Sequence, residues 1–417
     1  MNEKAVKIVN EARWADGLKV RNHLEEITYD PMRCQEEFVM RLIRENARTA
    51  YGREHGFESV RSLDDFRRYV PLTDYNDYSP YIERIISGEK NVLTTYQTEH
   101  FSLLSGFKRL PQSTWSVQSA FDYSFSACFY VAASHGLLTD GLTLNLVDNS
   151  VERLPSGKAI GSTLGWLLSK RGLDKDKIYV IPTSVANKPS QTDILYLQAL
   201  FALRARDISI AICEHYDNML ELLRFIEKHW PRLADDIENG NPYIQPDAPR
   251  AKKIREIMET HHIGTQLVTQ FWPRFHCIVV YDVDRLSASF ELLRTYCGSN
   301  VHFIFSGISS SEGTYSTTLN LDDPQTVLIP DSIFYEFKPK EAKGYHHLLT
   351  LDQLEIGHSY EMVVTTQSGL FRYKTYKTFL VVGRYHDTPT VIIDKEKSTL
   401  SFSKTKCDYF YIYPFDK

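Results

Sequence analysis

The chain has 417 residues, with 48 basic and 53 acidic side chains and a formal net charge of −5. At roughly 100 to 200 residues per domain, this length predicts two or three domains and excludes a single small one. The charges are mixed along the sequence, and no polybasic stripe indicates a nucleic-acid or anionic-membrane partner. We therefore expect neither nucleic acid nor a membrane as a partner, and the oligomeric state stays open.

The cysteines and the amino-terminal segment indicate a protein of a reducing compartment. None of the six cysteines forms a CxxC pair, which favours reduced thiols over a disulfide framework or a zinc site. The first 17 residues contain no apolar stretch typical of a signal peptide. The longest uncharged run, Tyr123 to Thr139, is too short and too polar to span a bilayer. We expect a soluble cytoplasmic protein with no metal site.

Apolar residues at helical spacing predict two amphipathic helices. The apolar face of the first consists of Phe38, Leu42, Ile43 and Ala47. Gly52 is predicted to end this helix, because glycine is a favoured residue at helix ends. The apolar face of the second consists of Met219, Leu222, Leu223, Ile226 and Trp230. Both faces are expected to pack into the core.

A βαβ unit is predicted between Phe275 and Phe305. Two short apolar runs, Phe275 to Tyr281 and Val301 to Phe305, flank a helical pattern from Leu286 to Cys297. The two strands should be parallel. The segment that follows, residues 306–313, reads SGISSSEG. Ligands bind at the carboxyl ends of strands in open α/β sheets, so this segment is the first place to expect a site.

The last hundred residues have the pattern of an antiparallel β meander or small barrel. Its strands are predicted at Tyr360 to Thr366, Leu370 to Val382 and Thr390 to Ile393. We therefore predict an α/β fold in which mixed βαβ sheets flanked by helices are followed by this meander. The predicted boundary divides the chain into residues 1–340, with two subdomains, and residues 341–417.

Several stretches, in this order, resemble the auxin-responsive acyl-acid amido synthetases, a family of the acyl-adenylate-forming, luciferase-like superfamily. They include residues 46–52 (NARTAYG), 81–89 (YIERIISGE), 309–313 (SSSEG), 328–337 (LIPDSIFYEF) and 357–373 (GHSYEMVVTTQSGLFRY). The resemblance implies the large amino-terminal domain of such an enzyme. It also implies ATP and magnesium, an acyl-adenylate, and an amine that displaces AMP. The family's mobile carboxyl-terminal domain is expected to be absent, because the sequence ends at Lys417.

The sequence departs from the family's nucleotide motifs at several positions. The phosphate loop is shortened to Ser105, Gly106 and Phe107, and neither GxxxxGK[ST] nor GxGxxG is present. Ile308 stands where the family has a tyrosine against adenine, and Lys377 stands where it has an aspartate on the ribose. An ammonium only donates hydrogen bonds whereas a carboxylate only accepts them. These departures predict a degenerate nucleotide site.

The resemblance also predicts the residues of the acid pocket. Glu312 is retained where the family holds magnesium, and we predict Glu312 as an acid or base and Arg372 as an anion clamp. An ion pair with a purely structural role is the alternative for both. The predicted pocket residues are Tyr123, Cys128, Asp284, Arg285, Ser311 and Tyr315.

Three functional hypotheses remain. The first is a repurposed enzyme of secondary metabolism without a cofactor, which cyclises, isomerises, dehydrates or condenses a small acid or polyketide-like metabolite without adenylation. The second is an ATP-dependent acyl-acid amido synthetase with ATP and magnesium. The third is a pseudoenzyme that binds a small acid or a protein partner. The sequence favours the first, because of the altered nucleotide motifs.

Overall fold

The computed structural model describes residues 3–104, 108–147, 151–154, 156–170, 175–186, 194–262, 264–281 and 288–394. The helices are α1 (Glu3–Ile27), α2 (Pro31–Asn46), α3 (Ala50–Glu54), α4 (Leu63–Tyr69), α5 (Tyr75–Ile86), α6 (Thr114–Ala120), α7 (Ala127–Ser134), α8 (Thr163–Lys170), α9 (Lys175–Ile178), α10 (Thr183–Ala186), α11 (Ile194–Arg204), α12 (Tyr216–Asn239), α13 (Ala248–Thr260), α14 (Leu267–Phe271) and α15 (Ala288–Cys297). A π-helical segment, Phe121–Ser126, joins α6 to α7.

The strands form three sheets and a short hairpin. They are β1 (Thr98–Leu104), β2 (Lys108–Ser113), β3 (Leu142–Asn145), β4 (Glu152–Arg153), β5 (Ala159–Ile160), β6 (Ile208–Cys213), β7 (Cys277–Val280), β8 (His302–Phe305), β9 (Ser309–Ser310), β10 (Gly313–Thr314), β11 (Ser316–Thr318), β12 (Thr326–Leu328), β13 (Ile333–Pro339), β14 (Ser359–Thr366), β15 (Tyr373–Tyr385) and β16 (Thr388–Ile393). The parallel sheet has the order β3-β6-β7-β8, and the antiparallel sheet has the order β11-β12-β16-β15-β14-β13. The third sheet, β2-β1-β5-β4, is mixed, and β9 pairs with β10.

The parallel sheet is covered on both faces, which explains why five of the six residues of β6 are apolar, with Ser209 as the exception. Every residue of β6 is buried. Ile208 and Ala211 pack into one core cluster with α12, whereas Ile210 and Ile212 pack into another with Cys128 of α7. The predicted βαβ unit is confirmed, since β7 and β8 are parallel and α15 connects them.

The meander and both amphipathic helices are confirmed. The strands β14, β15 and β16 are neighbours and antiparallel. Helix α2 ends at Asn46, earlier than predicted, because Thr49 caps the next helix by accepting a hydrogen bond from the backbone N–H of Gly52 at 2.9 Å. A Cβ at Gly52 would lie 2.1 Å from the carbonyl oxygen of Asn46. Glycine is therefore required there for close backbone approach, and not as a helix end.

The α/β fold class is confirmed by the sheets and helices described above. The six-stranded sheet begins at Ser316, before residue 340, and the domain boundary at 340 stays a prediction. Five of the six cysteines lie in the described ranges, where each is a buried free thiol. Within the same ranges, no helix combines the length and the apolar character needed to cross a lipid bilayer.

Candidate active site

The retained Ser-Ser-Glu sequence lies in a hairpin at the junction of the three sheets. We call residues 309–314, which contain β9, the turn and β10, the serine hairpin. It follows the carboxyl end of β8 in the parallel sheet. Ser102 of β1 and Gln112 of β2 donate hydrogen bonds to the carbonyl oxygen of Ser311 at 3.0 and 2.6 Å, and Ser311 Oγ donates to the carbonyl oxygen of Leu103 at 2.6 Å. These bonds fix the turn against the mixed sheet.

Glu312 forms a buried ion pair with Lys377 of the antiparallel sheet. The Lys377 ammonium donates to Glu312 Oε1 at 2.9 Å and to Oε2 at 2.8 Å. The side chains are only 1% and 7% exposed for Glu312 and Lys377 respectively. Ser310 Oγ and the Tyr315 hydroxyl also lie within hydrogen-bond distance of Oε2, the latter at 3.2 Å, and they contact each other at 2.6 Å. Both carboxylate oxygens therefore have a donor from the chain itself.

A bulge in β15 brings Lys377 to this position. Opposite the single residue Met362 of β14, β15 has three residues, Thr375, Tyr376 and Lys377. Tyr376 adopts a φ of 57°, and Thr375 Oγ1 donates to the carbonyl oxygen of Met362 at 2.7 Å while accepting from the backbone N–H of Lys377 at 3.2 Å. Bulges redirect side chains and are frequent beside active sites. The bulge therefore orients Lys377 towards the serine hairpin.

The ion pair keeps Glu312 ionised. Burial alone raises the pKa of a carboxyl, but the charge of Lys377 and the hydrogen bonds from Lys377 and Ser310 outweigh it, so the pKa of Glu312 lies below its ordinary value. Glu312 is thus an anion at neutral pH. It is not a proton donor in this arrangement.

The lowered pKa predicts a specific acid sensitivity. Because the pKa of Glu312 is lower in the folded than in the unfolded chain, its contribution to stability is complete above the ordinary carboxyl pKa of 4.5 and is lost as the pH falls through the folded value. Melting temperatures of the wild type and Glu312→Gln, measured from pH 7 to pH 3.5, should converge as the pH falls below about 4.5. A difference that stays constant over this range would contradict the prediction.

Arg372 does not pair with Glu312. Its guanidinium binds Glu336 through Nε at 2.8 Å and Nη2 at 3.0 Å, and Nη1 donates to the carbonyl oxygens of Arg67 and Val70 at 3.0 and 2.9 Å. All three guanidinium nitrogens thus have hydrogen-bond partners. Arg372 thereby connects the end of α4 to Glu336 of β13. The structure supports the structural alternative for Arg372, and its role as an anion clamp stays a prediction.

Tyr123 and Cys128 lie on the helical layer beside the hairpin, but their side chains point elsewhere. The Tyr123 hydroxyl donates to Asp331 at 3.1 Å, and burial, together with Asp331, raises its pKa. Cys128 is fully buried among apolar residues, and burial raises the pKa of its thiol. Ser124 of the π-helical segment contacts Ser309 through the two hydroxyl oxygens, 3.1 Å apart.

The other predicted site residues divide into two groups. Ile308 and Tyr315 are buried in the same core cluster, and the Tyr315 hydroxyl is 2.6 Å from Ser310 Oγ. The structure therefore brings Ile308, Ser311, Glu312, Tyr315 and Lys377 together. Ser105, Gly106, Phe107, Asp284 and Arg285 lie outside the described residues. We did not predict Ser102, Gln112 or Glu336 as site residues. No local sequence pattern indicates that they contact Ser311 or Arg372, which lie far away in the chain.

The residues at the serine hairpin do not fit a magnesium ion at Glu312. Magnesium requires near-octahedral oxygen ligation, whereas both Glu312 oxygens already bind an ammonium. A divalent cation at the carboxylate would also lie beside the positive charge of Lys377. In the described part of the chain, no group of three or more His, Cys, Asp or Glu residues is placed to hold a metal ion.

Comparison with known proteins gives matches over most of the chain. Residues 20–302 match the GH3 family N-terminal domain, and residues 326–395 match the GH3 family central domain. Indole-3-acetic acid-amido synthetase GH3.8 of Oryza sativa subsp. indica is 24% identical over 92% of this chain and 70% of the relative. Indole-3-acetic acid-amido synthetase GH3.3 of Arabidopsis thaliana is 23% identical over 94% of this chain and 72% of the relative.

Solved structures show the same fold. The acyl acid amido synthetase AtGH3.15, in complex with 2,4-DB, superposes with a TM-score of 0.79 at 22% identity, covering 90% of this chain and 70% of that one. A second structure of GH3.15 superposes with a TM-score of 0.77 at 23% identity, covering 89% and 69%. The resemblance inferred from the sequence motifs is therefore confirmed, and the chain has the fold of these amido synthetase structures.

These matches overturn two predictions. The preferred hypothesis, a repurposed enzyme that acts without adenylation, is wrong, because the relatives that match nearly the whole chain are amido synthetases. The prediction of no cofactor is wrong for the same reason, since forming an amide from a free acid requires activation, and the resemblance implies ATP and magnesium for it. The broader prediction of an enzyme agrees with the relatives, and the ATP-dependent alternative is the hypothesis that they favour.

Proposed function

The chain belongs to the GH3 family, and on this premise we propose that it is an ATP-dependent acyl-acid amido synthetase that joins a small carboxylic acid to an amine. The observation that carries the proposal is the pair of family matches, over residues 20–302 and 326–395, together with the retained fold around the serine hairpin. We propose amide formation because the relatives that match the chain are amido synthetases.

The chemistry explains why such an enzyme needs a nucleotide. A carboxylate is a poor electrophile, so an amine does not attack it at a useful rate in water. A carboxylate oxygen attacks the α-phosphorus of ATP, and pyrophosphate leaves. The amine nitrogen then attacks the acyl carbon, the bond to AMP breaks, and the amine loses a proton. AMP release that depends on both acid and amine is therefore the signature of the reaction.

We propose that the acid binds beside the exposed Ser309, where the serine hairpin meets the π-helical segment. The contact between Ser124 and Ser309 joins these two elements, and Ser309 is exposed. Short π-helical stretches occur frequently at functional sites. The serine hairpin then fixes the reacting end of the acid, because its turn is bonded to the mixed sheet and, through Lys377, to the antiparallel sheet.

The proposal predicts AMP formation that depends on an acid and an amine. The purified chain is incubated with ATP, magnesium, one acid from an aromatic, indole or aliphatic panel, and a mixture of amino acids. AMP is measured by chromatography and the amide by mass spectrometry. Glu312→Gln should lower the rate at least about tenfold, because Lys377 loses a charged hydrogen-bond partner and such a bond contributes about 1.5–3 kcal/mol. Glu361→Gln should retain activity, because Glu361 pairs with Lys338 within the antiparallel sheet.

Two outcomes would contradict the proposal. One is no AMP above the background without enzyme for any combination of acid and amine, with the chain folded by circular dichroism. The other is AMP release that is independent of the acid, which would indicate simple ATP hydrolysis.

A further inference from the structure

We infer that in this chain the Lys377 ammonium takes the cation position beside Glu312, so that Glu312 is not a metal ligand and Lys377 itself presents a positive charge to an anionic oxygen of the ligand. The positive charge beside Glu312 is then carried by a side chain of the protein and not by a metal ion. The identity of the anion rests on the proposed function, whereas the exclusion of a metal from Glu312 does not.

The first argument is the geometry of the pair. Nζ of Lys377 is 2.9 Å from one carboxylate oxygen of Glu312 and 2.8 Å from the other. It therefore bridges the two oxygens, as a cation chelated by the carboxylate would. The Ser310 and Tyr315 hydroxyls contact each other and Oε2, and one of them donates to Oε2 beside Lys377. The two lone pairs of Oε2 are then taken by donors of the chain, and Oε1 accepts from the same ammonium, so a metal would have to bind beside its positive charge.

The second argument is that Lys377 has no alternative place for its charge. The bulge holds its backbone through Thr375, and its side chain is 7% exposed. Nζ also lies 5.7 Å from the ring centroid of Tyr315, a distance that allows a cation–π interaction. A metal that displaced the ammonium from Glu312 would leave a buried unpaired ammonium, which is more costly than the ion pair.

The third argument concerns the remaining donor of the ammonium. A lysine ammonium carries three N–H groups, and within the described residues Nζ donates only to the two oxygens of Glu312. One N–H is then left for an oxygen of the ligand, either a phosphate of ATP or the carboxylate of the acid. A magnesium ion that accompanies ATP would be held by phosphate oxygens and not by Glu312.

The metal part is tested by titrating Mn²⁺ into the protein without nucleotide, with the free ion followed by electron paramagnetic resonance. The wild type should show no saturable Mn²⁺ binding that is absent in Glu312→Gln. Lys377→Asp replaces the ammonium with a second carboxylate and should gain one saturable site, which the double variant Lys377→Asp/Glu312→Gln loses. Lys374→Asp is the matched control, since Lys374 lies on the same strand outside the bulge and pairs with the partly exposed Asp74 at 3.7 Å.

Saturable Mn²⁺ binding by the wild type that disappears in Glu312→Gln would overturn the inference. So would a folded Lys377→Asp variant that binds no more Mn²⁺ than Lys374→Asp does. If Lys377→Asp fails to fold by circular dichroism, the comparison of the wild type with Glu312→Gln still decides the question. This titration needs no turnover, so its result is separate from the test of AMP formation.

The anion part is tested by calorimetry in the presence of EDTA, with ATP in one arm and indole-3-acetate in the other. Lys377→Met should weaken binding at least about tenfold for the ligand whose oxygen contacts the ammonium, which is the effect of losing a hydrogen bond to a charged group. Loss in the ATP arm alone assigns a phosphate, and loss in the acid arm alone assigns the carboxylate. Unchanged binding in both arms, or no binding by the wild type in either, contradicts this part of the inference.

Discussion

Replacing Arg372 with alanine is expected to lower the free energy of unfolding by about 3 kcal/mol, the lower end of the range for breaking a buried ion pair. The Glu336 side chain is 1% exposed, and Arg372 neutralises it through two nitrogens. The variant also leaves the carbonyl oxygens of Arg67 and Val70 without their donor. The lower end applies because Arg67 Nε, 3.2 Å from Glu336 Oε1, remains as a second partner. Urea denaturation followed by tryptophan fluorescence measures the change.

Arg67→Ala is the control for the Arg372 prediction. Its side chain is 32% exposed and makes a single contact with Glu336, so the expected loss is below about 1 kcal/mol. Arg372→Lys should recover little of the loss, because one ammonium cannot replace a guanidinium that binds a carboxylate and two carbonyl groups. An Arg372→Ala variant with unchanged stability and no AMP formation would instead support the anion clamp predicted from the sequence.

Lys377→Met is expected to lower the free energy of unfolding by about 3 to 5 kcal/mol, because it leaves the Glu312 carboxylate buried without its cation. The Ser310 and Tyr315 hydroxyls still contact this carboxylate, but they carry no charge. The double variant Lys377→Met/Glu312→Gln should be more stable than Lys377→Met, since neither charge then remains. Urea denaturation of the two single variants and the double variant gives the coupling between the side chains.

Lys374→Met is the control for the Lys377 prediction. Lys374 lies three residues before Lys377 on β15, and its ammonium is 3.7 Å from Asp74 in a more exposed pair. A loss below about 1 kcal/mol is expected there. The loss of free energy of unfolding in the double variant Lys377→Met/Glu312→Gln is compared with the sum of the losses in the two single variants. Equal values would show that the two side chains do not interact.

The elements that the sequence predicts correctly are those with a local pattern. The apolar runs of β7 and β8 follow from the burial of both faces of the parallel sheet. The same reasoning directs attention to the SSSEG segment after β8. That segment forms the serine hairpin, around which the structure gathers five of the predicted site residues.

The partners of the charged residues do not follow from any local pattern. Glu312 and Lys377 are separated by 65 positions, and Arg372 and Glu336 by 36. Lys377 reaches Glu312 only because β15 bulges opposite Met362. Whether a strand bulges depends on its register with its neighbour, which a single sequence does not specify. From the sequence, Lys377 was interpreted only as a replacement for the family's aspartate. Its ion pair with Glu312 was therefore not predicted.

The bulge in β15 also preserves the pattern of buried side chains in the strand. It adds two residues to β15 relative to β14, and side chains in a strand alternate with a period of two. Tyr373 before the bulge and Phe379 and Val381 after it consequently all face the core. Phe379 and Tyr373 pair with Tyr360 and Val364 of β14, which are an even number of residues apart and so lie on one face of the sheet. The strand thereby directs Lys377 into the site and keeps its hydrophobic core.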